Sequence, residues 1–170
     1  YSLSFDGGVD DFDYVLVPTT NMFDVSDEQE LTISANVKMD VDGGGKVFQA
    51  EASYGYRSNV DKTTGFVSLL VYNQYDIGTE CFGSTDIRDG AWHHIVGIFD
   101  GSSMKVYVDG YIENTCVADP IYSRDESSPI TIGSGSVQPS YTHFSGLIAD
   151  LSIWNAALSE SEIEEGLQTN

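Results

Sequence analysis

The stretch Trp92-His93-His94-Ile95-Val96-Gly97-Ile98-Phe99-Asp100-Gly101, running on through Lys105-Val106-Tyr107-Val108-Asp109-Gly110, decides how the rest of the chain is read. His94, Val96 and Ile98 alternate with His93, Ile95, Gly97 and Phe99, so a strand here is apolar on both faces and belongs in the middle of a sheet. Val106 and Val108 then alternate with Lys105, Tyr107 and Asp109, as on a half-buried strand. Asp100-Gly101 and Asp109-Gly110 are the short turn pairs that join antiparallel neighbours.

The same grammar extends in both directions. Leu31 to Met39 alternates with period two, and Phe66 to Tyr72 is a β-branched and aromatic run entered through Gly65. Ile130-Thr131-Ile132 and Leu147 to Trp154 read as two more strands. Strand and turn recur every 8–12 residues, the spacing of an antiparallel sandwich. One helix is expected near the C-terminus. Ser159 is a good N-cap, Glu162 three residues on completes a capping box, and Ile163 and Leu167 form a small apolar stripe. The expected fold is therefore all-β, an antiparallel two-sheet jelly-roll sandwich with one short C-terminal helix, forming one domain over residues 1–170.

Composition narrows the function. The 170 residues carry 27 Asp plus Glu against 7 Lys plus Arg, a formal net charge of −20. That surplus repels phosphate backbones and anionic headgroups, which argues against nucleic-acid binding and electrostatic membrane docking. No apolar run reaches the roughly 18–20 residues of a membrane span. Hydrophobic residues make up 41% of the chain, too many for a disordered acidic tail. A start at Tyr1 without Met points to a mature secreted protein or a module of a larger chain. The two cysteines, Cys81 and Cys116, fit no metal motif; they form either one disulfide or two buried thiols.

Three segments together resemble a known family. They are Leu3-Ser4-Phe5-Asp6-Gly7 with Asp13-Tyr14-Val15, the Trp92 to Gly110 stretch, and Phe144 to Asn155 followed by Ala157-Leu158-Ser159 and Glu162-Ile163. Their order is similar to the laminin-G-like, concanavalin A-like lectin/glucanase jelly-roll domain. The resemblance implies that the first and last strands lie side by side, that the setting is extracellular or cell-surface, and that the partner is a glycan or a protein, frequently with calcium. Fold alone does not choose among lectins, glucanases, lyases and adhesion modules.

Catalysis is not expected. Sandwich glycosidases need two carboxylates on one strand face, and no such spacing occurs here. Tyr72-Asn73-Gln74 resembles one fragment of an alginate-lyase motif whose companion pieces are missing, and His93-His94 reads as structural. Calcium is the expected cofactor. Asp6, Asp10 and Asp13 gather beside Gly7 and Gly8, where carboxylates and carbonyls can wrap an ion. In the resemblance Asp150 lies on the strand next to Asp6, so one ion bridging the two is expected. Sugar binding needs aromatic platforms with planar hydrogen-bonding groups, for which Tyr54, Tyr56, Arg57, Asn73, Tyr75, Tyr122 and Tyr141 are the candidates. Trp92 and Trp154 sit within strand motifs and are expected in the core. The leading reading is a non-catalytic extracellular carbohydrate-binding module, with neutral sugars favoured by the negative field. The alternatives are an adhesion module with a protein partner and, behind it, a polysaccharide-active enzyme.

Overall fold

A computed structural model describes residues 1–8, 13–18, 30–50, 55–121, 130–135 and 143–168. Twelve strands fall into two antiparallel sheets of six. Sheet A runs β1 (Leu3–Asp6), β12 (Ser145–Trp154), β3 (Leu31–Lys38), β8 (Trp92–Phe99), β9 (Ser103–Val108), β10 (Tyr111–Val117). Sheet B runs β2 (Val15–Val17), β11 (Ile130–Ile132), β4 (Gly45–Ala50), β5 (Tyr56–Val60), β6 (Val67–Tyr72), β7 (Gly78–Phe82). The expected jelly-roll sandwich is thus the observed fold, and β1 pairs with β12 as the resemblance implied.

The core lies between the sheets and follows from strand parity. Ile33, Ala35 and Val37 of β3, Ile95 and Phe99 of β8, and Val67, Leu69 and Val71 of β6 all point inward and are buried together. Gly97 holds the inward position between Ile95 and Phe99. A Cβ there would stand 3.2 Å from Leu69 Cβ and Cδ1, so the glycine lets the sheets close. Asp109 (φ 52°) and Gly110 (φ 82°) both adopt left-handed backbone, the two-residue hairpin turn their sequence announces, with Tyr111 returning opposite Val108.

The two sheets end in β10 and β7, and Cys81 of β7 is bonded to Cys116 of β10. The bond closes a loop of 35 residues and ties the open edges together, for which chain entropy gives about 3–4 kcal/mol.

The helix α1 (Glu160–Gln168) packs on the outer face of sheet A. Its start is the capping box read from sequence. Ser159 N–H donates to Glu162 Oε2 at 2.8 Å, and the Glu162 N–H reaches Ser159 Oγ at 3.4 Å. Ile163 is buried against Val96, Ile98 and Tyr107, with Ala157 and Leu158 beside it. Thr32 pins the approach to the helix: its hydroxyl donates to Ala156 O at 2.7 Å and accepts from Leu158 N–H at 3.1 Å. No helix among the described residues is long and apolar enough to cross a membrane.

Candidate functional site

The helix covers only part of sheet A. Beyond it the outer face opens into a recess of about 570 Å³, with Asn36, Trp92, His93, His94, Asp109 and Asp150 among its lining. The floor is one row of residues crossing four strands. Ala149 of β12 pairs with Asn36 of β3, and Asn36 pairs with His94 of β8. Across from His94 stands Asp109, whose backbone N–H donates to His94 O at 2.8 Å.

Each end of the row is shaped by irregular backbone. At one end β12 carries a bulge: Ala149 faces Asn36 and Ser152 faces Ser34, so Asp150 and Leu151 together oppose Ala35. Asp150 takes a left-handed φ of 50°, and its Oδ2 accepts from Asn36 Nδ2 at 3.0 Å. At the other end the Asp109–Gly110 turn aims the Asp109 carboxylate back at β8. Its Oδ1 accepts the His94 N–H at 2.9 Å, and its Oδ2 meets His93 Nδ1 at 2.8 Å.

The two histidines occupy opposite situations. His93 Nε2 also meets Asp89 Oδ1 at 3.1 Å. Burial works against its charge, but the bonds to Asp109 and Asp89 outweigh it and raise its pKa above the ordinary histidine value. His94 pairs its Nε2 with Ser34 Oγ at 2.7 Å, and its Nδ1 is buried without a hydrogen-bond partner. Burial lowers its pKa against the pull of Asp109, so it is the neutral imidazole of the pair.

Trp92 corrects an expectation. It and Trp154 are strand residues but not core residues, with 45% and 38% of their surface exposed. Trp92 shares the outward parity of His94, past the reach of the helix, and so presents its ring to solvent beside the row. Lys38 lies opposite it in register.

The sugar candidates named from sequence do not come together. Tyr56 is 4% exposed and stacks on Phe48 with ring centroids 5.9 Å apart, because the alternation of β5 turns it inward with Val60. Asn73 is buried and organises the β6–β7 turn: its Oδ1 accepts from Tyr75 N–H and Ile77 N–H, and its Nδ2 donates to Asp119. Tyr75 is 73% exposed at that turn. Arg57 is half-buried in sheet B, in register with Gln49 and Leu70. Beside it, burial and then the Arg57 charge push Lys46 down to about 8. Tyr54, Tyr122 and Tyr141 lie outside the described residues.

The acidic candidates divide as well. Asp6 faces Ser145 while Leu3 faces Ile148, so Asp150 stands five residues along β12 from the partner of Asp6. At about 3.3 Å per residue that is on the order of 17 Å, and one ion cannot touch both. Asp6 and Asp13 do meet. Asp13 Oδ2 accepts the Asp6 N–H at 3.3 Å, and Asp6 Oδ1 accepts the Gly8 N–H at 2.7 Å. Asp10 lies outside the described residues, and among those described no group of three or more acidic, histidine or cysteine side chains is placed to hold a metal ion.

The recess could not be read from sequence because its row joins residues at 36, 94, 109 and 150 that only the register brings together. The usable signal was parity. Thr32, Ser34, Asn36 and Lys38 make every outward position of β3 polar, and His94 is the polar outward residue of β8.

Two six-stranded antiparallel sheets with a polar, aromatic-flanked recess define a concanavalin A-like sandwich. The chain belongs to the family described as the concanavalin A-like lectin/glucanases superfamily, whose laminin G model matches residues 6–164. Among solved structures, the native heptameric SAP-like pentraxin of Limulus polyphemus superposes with a TM-score of 0.66 at 17% identity, over 95% of this chain and 79% of that one. The binding domain of botulinum neurotoxin serotype D gives 0.73 at 13% identity, over 99% and 42%. A botulinum neurotoxin type C structure, described as dependent on two ganglioside molecules for cell entry, gives 0.68 at 15% identity, over 92% and 39%. The chain thus spans about two fifths of the toxin chains. These likenesses concern the fold. No curated protein matches the sequence.

Proposed function

We propose that this protein is a non-catalytic, extracellular carbohydrate-binding module that seats an uncharged or cationic glycan in the recess of sheet A. The observation that carries this reading is the exposed Trp92 ring beside the Asp150–Asn36–His94–Asp109 row. An indole face stacks on a sugar ring while carboxylate, amide and imidazole groups bond its hydroxyls. The family and the ganglioside-dependent toxin chain of the same fold support a glycan as the ligand class.

The spacing of the two carboxylates that line the recess supports binding rather than hydrolysis. Asp150 and Asp109 are separated by β3 and β8, three strand spacings or about 14 Å. Glycosidase pairs stand about 5–9.5 Å apart. The Cys81–Cys116 bond supports an oxidising, extracellular setting.

Calcium belongs to the same proposal, where Asp6 and Asp13 meet. The remaining oxygens of a six- to eight-ligand shell would come from backbone carbonyls and water. Melting in calcium and in chelator at low ionic strength tests it, and an unchanged melting temperature removes calcium from the reading.

A glycan array probed with the wild type and with Trp92→Ala tests the main proposal. Binding by the wild type that the variant loses supports it. A blank array, with retention of a protein partner unaffected by Trp92→Ala, replaces it with the adhesion reading. The exposed Tyr111, Ile112 and Val117 of edge strand β10 favour that second reading.

A further inference from the structure

Resting on the glycan reading, we propose that the recess selects a glycan bearing a protonated amine, an unacetylated hexosamine, over the same backbone carrying hydroxyl or N-acetyl groups. The two carboxylates of the row are not equivalent. Both oxygens of Asp109 are engaged, one by the His94 N–H and one by the His93 ring. Asp150 is held through Oδ2 alone, by Asn36, and no described residue donates to its Oδ1. It is exposed at the rim of the recess, so it is the acceptor a ligand can reach.

The backbone beneath Asp150 points the same way. A bulge re-aims the side chain of the residue it inserts. The left-handed φ of 50° at that residue would be relaxed with glycine, and an aspartate kept there holds its conformation against a modest strain. The bulge presents a carboxylate where sheet regularity alone would prefer none.

Charge then decides the class of ligand. Asp109 and Asp150 line the recess, His93 is shared between Asp109 and Asp89, and Lys38 is the cation across from Trp92. An anionic sugar meets net repulsion there. A hydroxyl makes an ordinary hydrogen bond to Asp150, whereas an ammonium makes a charge-assisted one of roughly twice the strength. The Trp92 face adds a cation–π attraction that neither the hydroxyl nor the acetamide receives. The overall charge of −20 draws the amine towards the surface before contact.

Calorimetric titration of the whole chain with three β-1,4-linked oligosaccharides of equal length tests this. One is built of glucosamine, one of N-acetylglucosamine and one of glucose, all at low salt and below the pKa of the sugar amine. The glucosamine oligomer is expected to bind roughly tenfold more tightly than the other two, with an advantage that shrinks as salt is added. Asp150→Asn keeps the size and the tolerance of left-handed backbone but removes the charge, so it should reduce the glucosamine oligomer to the level of the glucose oligomer. Asp150→Gly relaxes the backbone and should do the same without loss of melting temperature. Equal affinity for all three sugars overturns the amine selection and leaves the glycan reading standing. A glucosamine preference that survives both variants overturns it too, because general attraction to an acidic surface then accounts for it. Binding of none of the three overturns the amine selection, and the glycan array then decides the broader reading by itself.

Discussion

The outer face of sheet A has two halves made from the same strands. Under the helix, β3 and β8 present Thr32, Val96 and Ile98, and Tyr107 of β9 joins them against Ile163. A few residues along the same strands the face presents the half-buried Asn36, Lys38 and His94 and the exposed Trp92, with no helix over them. The border is the bond between Ser34 Oγ and His94 Nε2. One half satisfies its outward groups with a helix of this chain. The other leaves an imidazole nitrogen unpartnered and an indole uncovered. A strand face is therefore not a single environment, and stability and binding can be divided between its two ends.

Substitutions on either side of the border should separate these roles. The largest effect is expected from Ile163→Ala, which empties a buried site between helix and sheet. Urea unfolding should show a loss of about 2–4 kcal/mol while recess affinity holds. A parallel loss of affinity would mean that the halves are coupled. Thr32→Val removes both bonds that pin Ala156 and Leu158 and should cost about 1–3 kcal/mol by the same assay. Ser159→Ala breaks the capping box, with an expected loss of about 1 kcal/mol confined to the helix side. Trp92→Ala inverts the pattern. It should change stability by less than about 1 kcal/mol, because the ring is half-exposed, while abolishing binding in the recess.

The smallest effect is a pH dependence. The folded-state pKa of His93 is raised, so the stability its bonds to Asp89 and Asp109 add is fully present below the unfolded histidine value of about 6.5. It is lost as pH rises through the folded value. The melting difference between the wild type and His93→Gln should be largest in mild acid and shrink toward alkaline pH. A constant difference would show that the His93 contribution is not carried by its proton.

The covered half was the legible one. The capping box at Ser159 and Glu162, the apolar alternation of β8 and the Asp109–Gly110 turn are local patterns, each written within a few residues and each present in the fold. Reading β8 as apolar on both faces was sound from Ile95 to Phe99. It placed Trp92 in the core because parity says which face a residue occupies and not whether another element covers that face. Tyr56 departs in the opposite direction: expected as a sugar platform, it is the first inward residue of β5. The open half was legible only in pieces: the Trp92–Asp109 stretch and Asp150 stand out in the sequence, but not as one site. Asn36 looks ordinary in sequence, Asp109 reads as a turn residue and Asp150 as a partner of Asp6, and only a row across the sheet makes the three neighbours.

The pairing of β1 with β12 has a mechanical consequence. Leu3 lies opposite Ile148 and Asp6 opposite Ser145, so Tyr1 and the segment beyond Trp154 leave the ladder at the same end. Tension between those points loads one hydrogen bond at a time, peeling β1 away as a zipper opens rather than shearing all its bonds at once. The first casualty is Phe5, which meets Phe144 edge-on at 6.1 Å between ring centroids and fills the space above Gly133. A pull too weak to separate the sheets would thus unseal the core from its margin, while the edge clamped by the Cys81–Cys116 bond stayed shut.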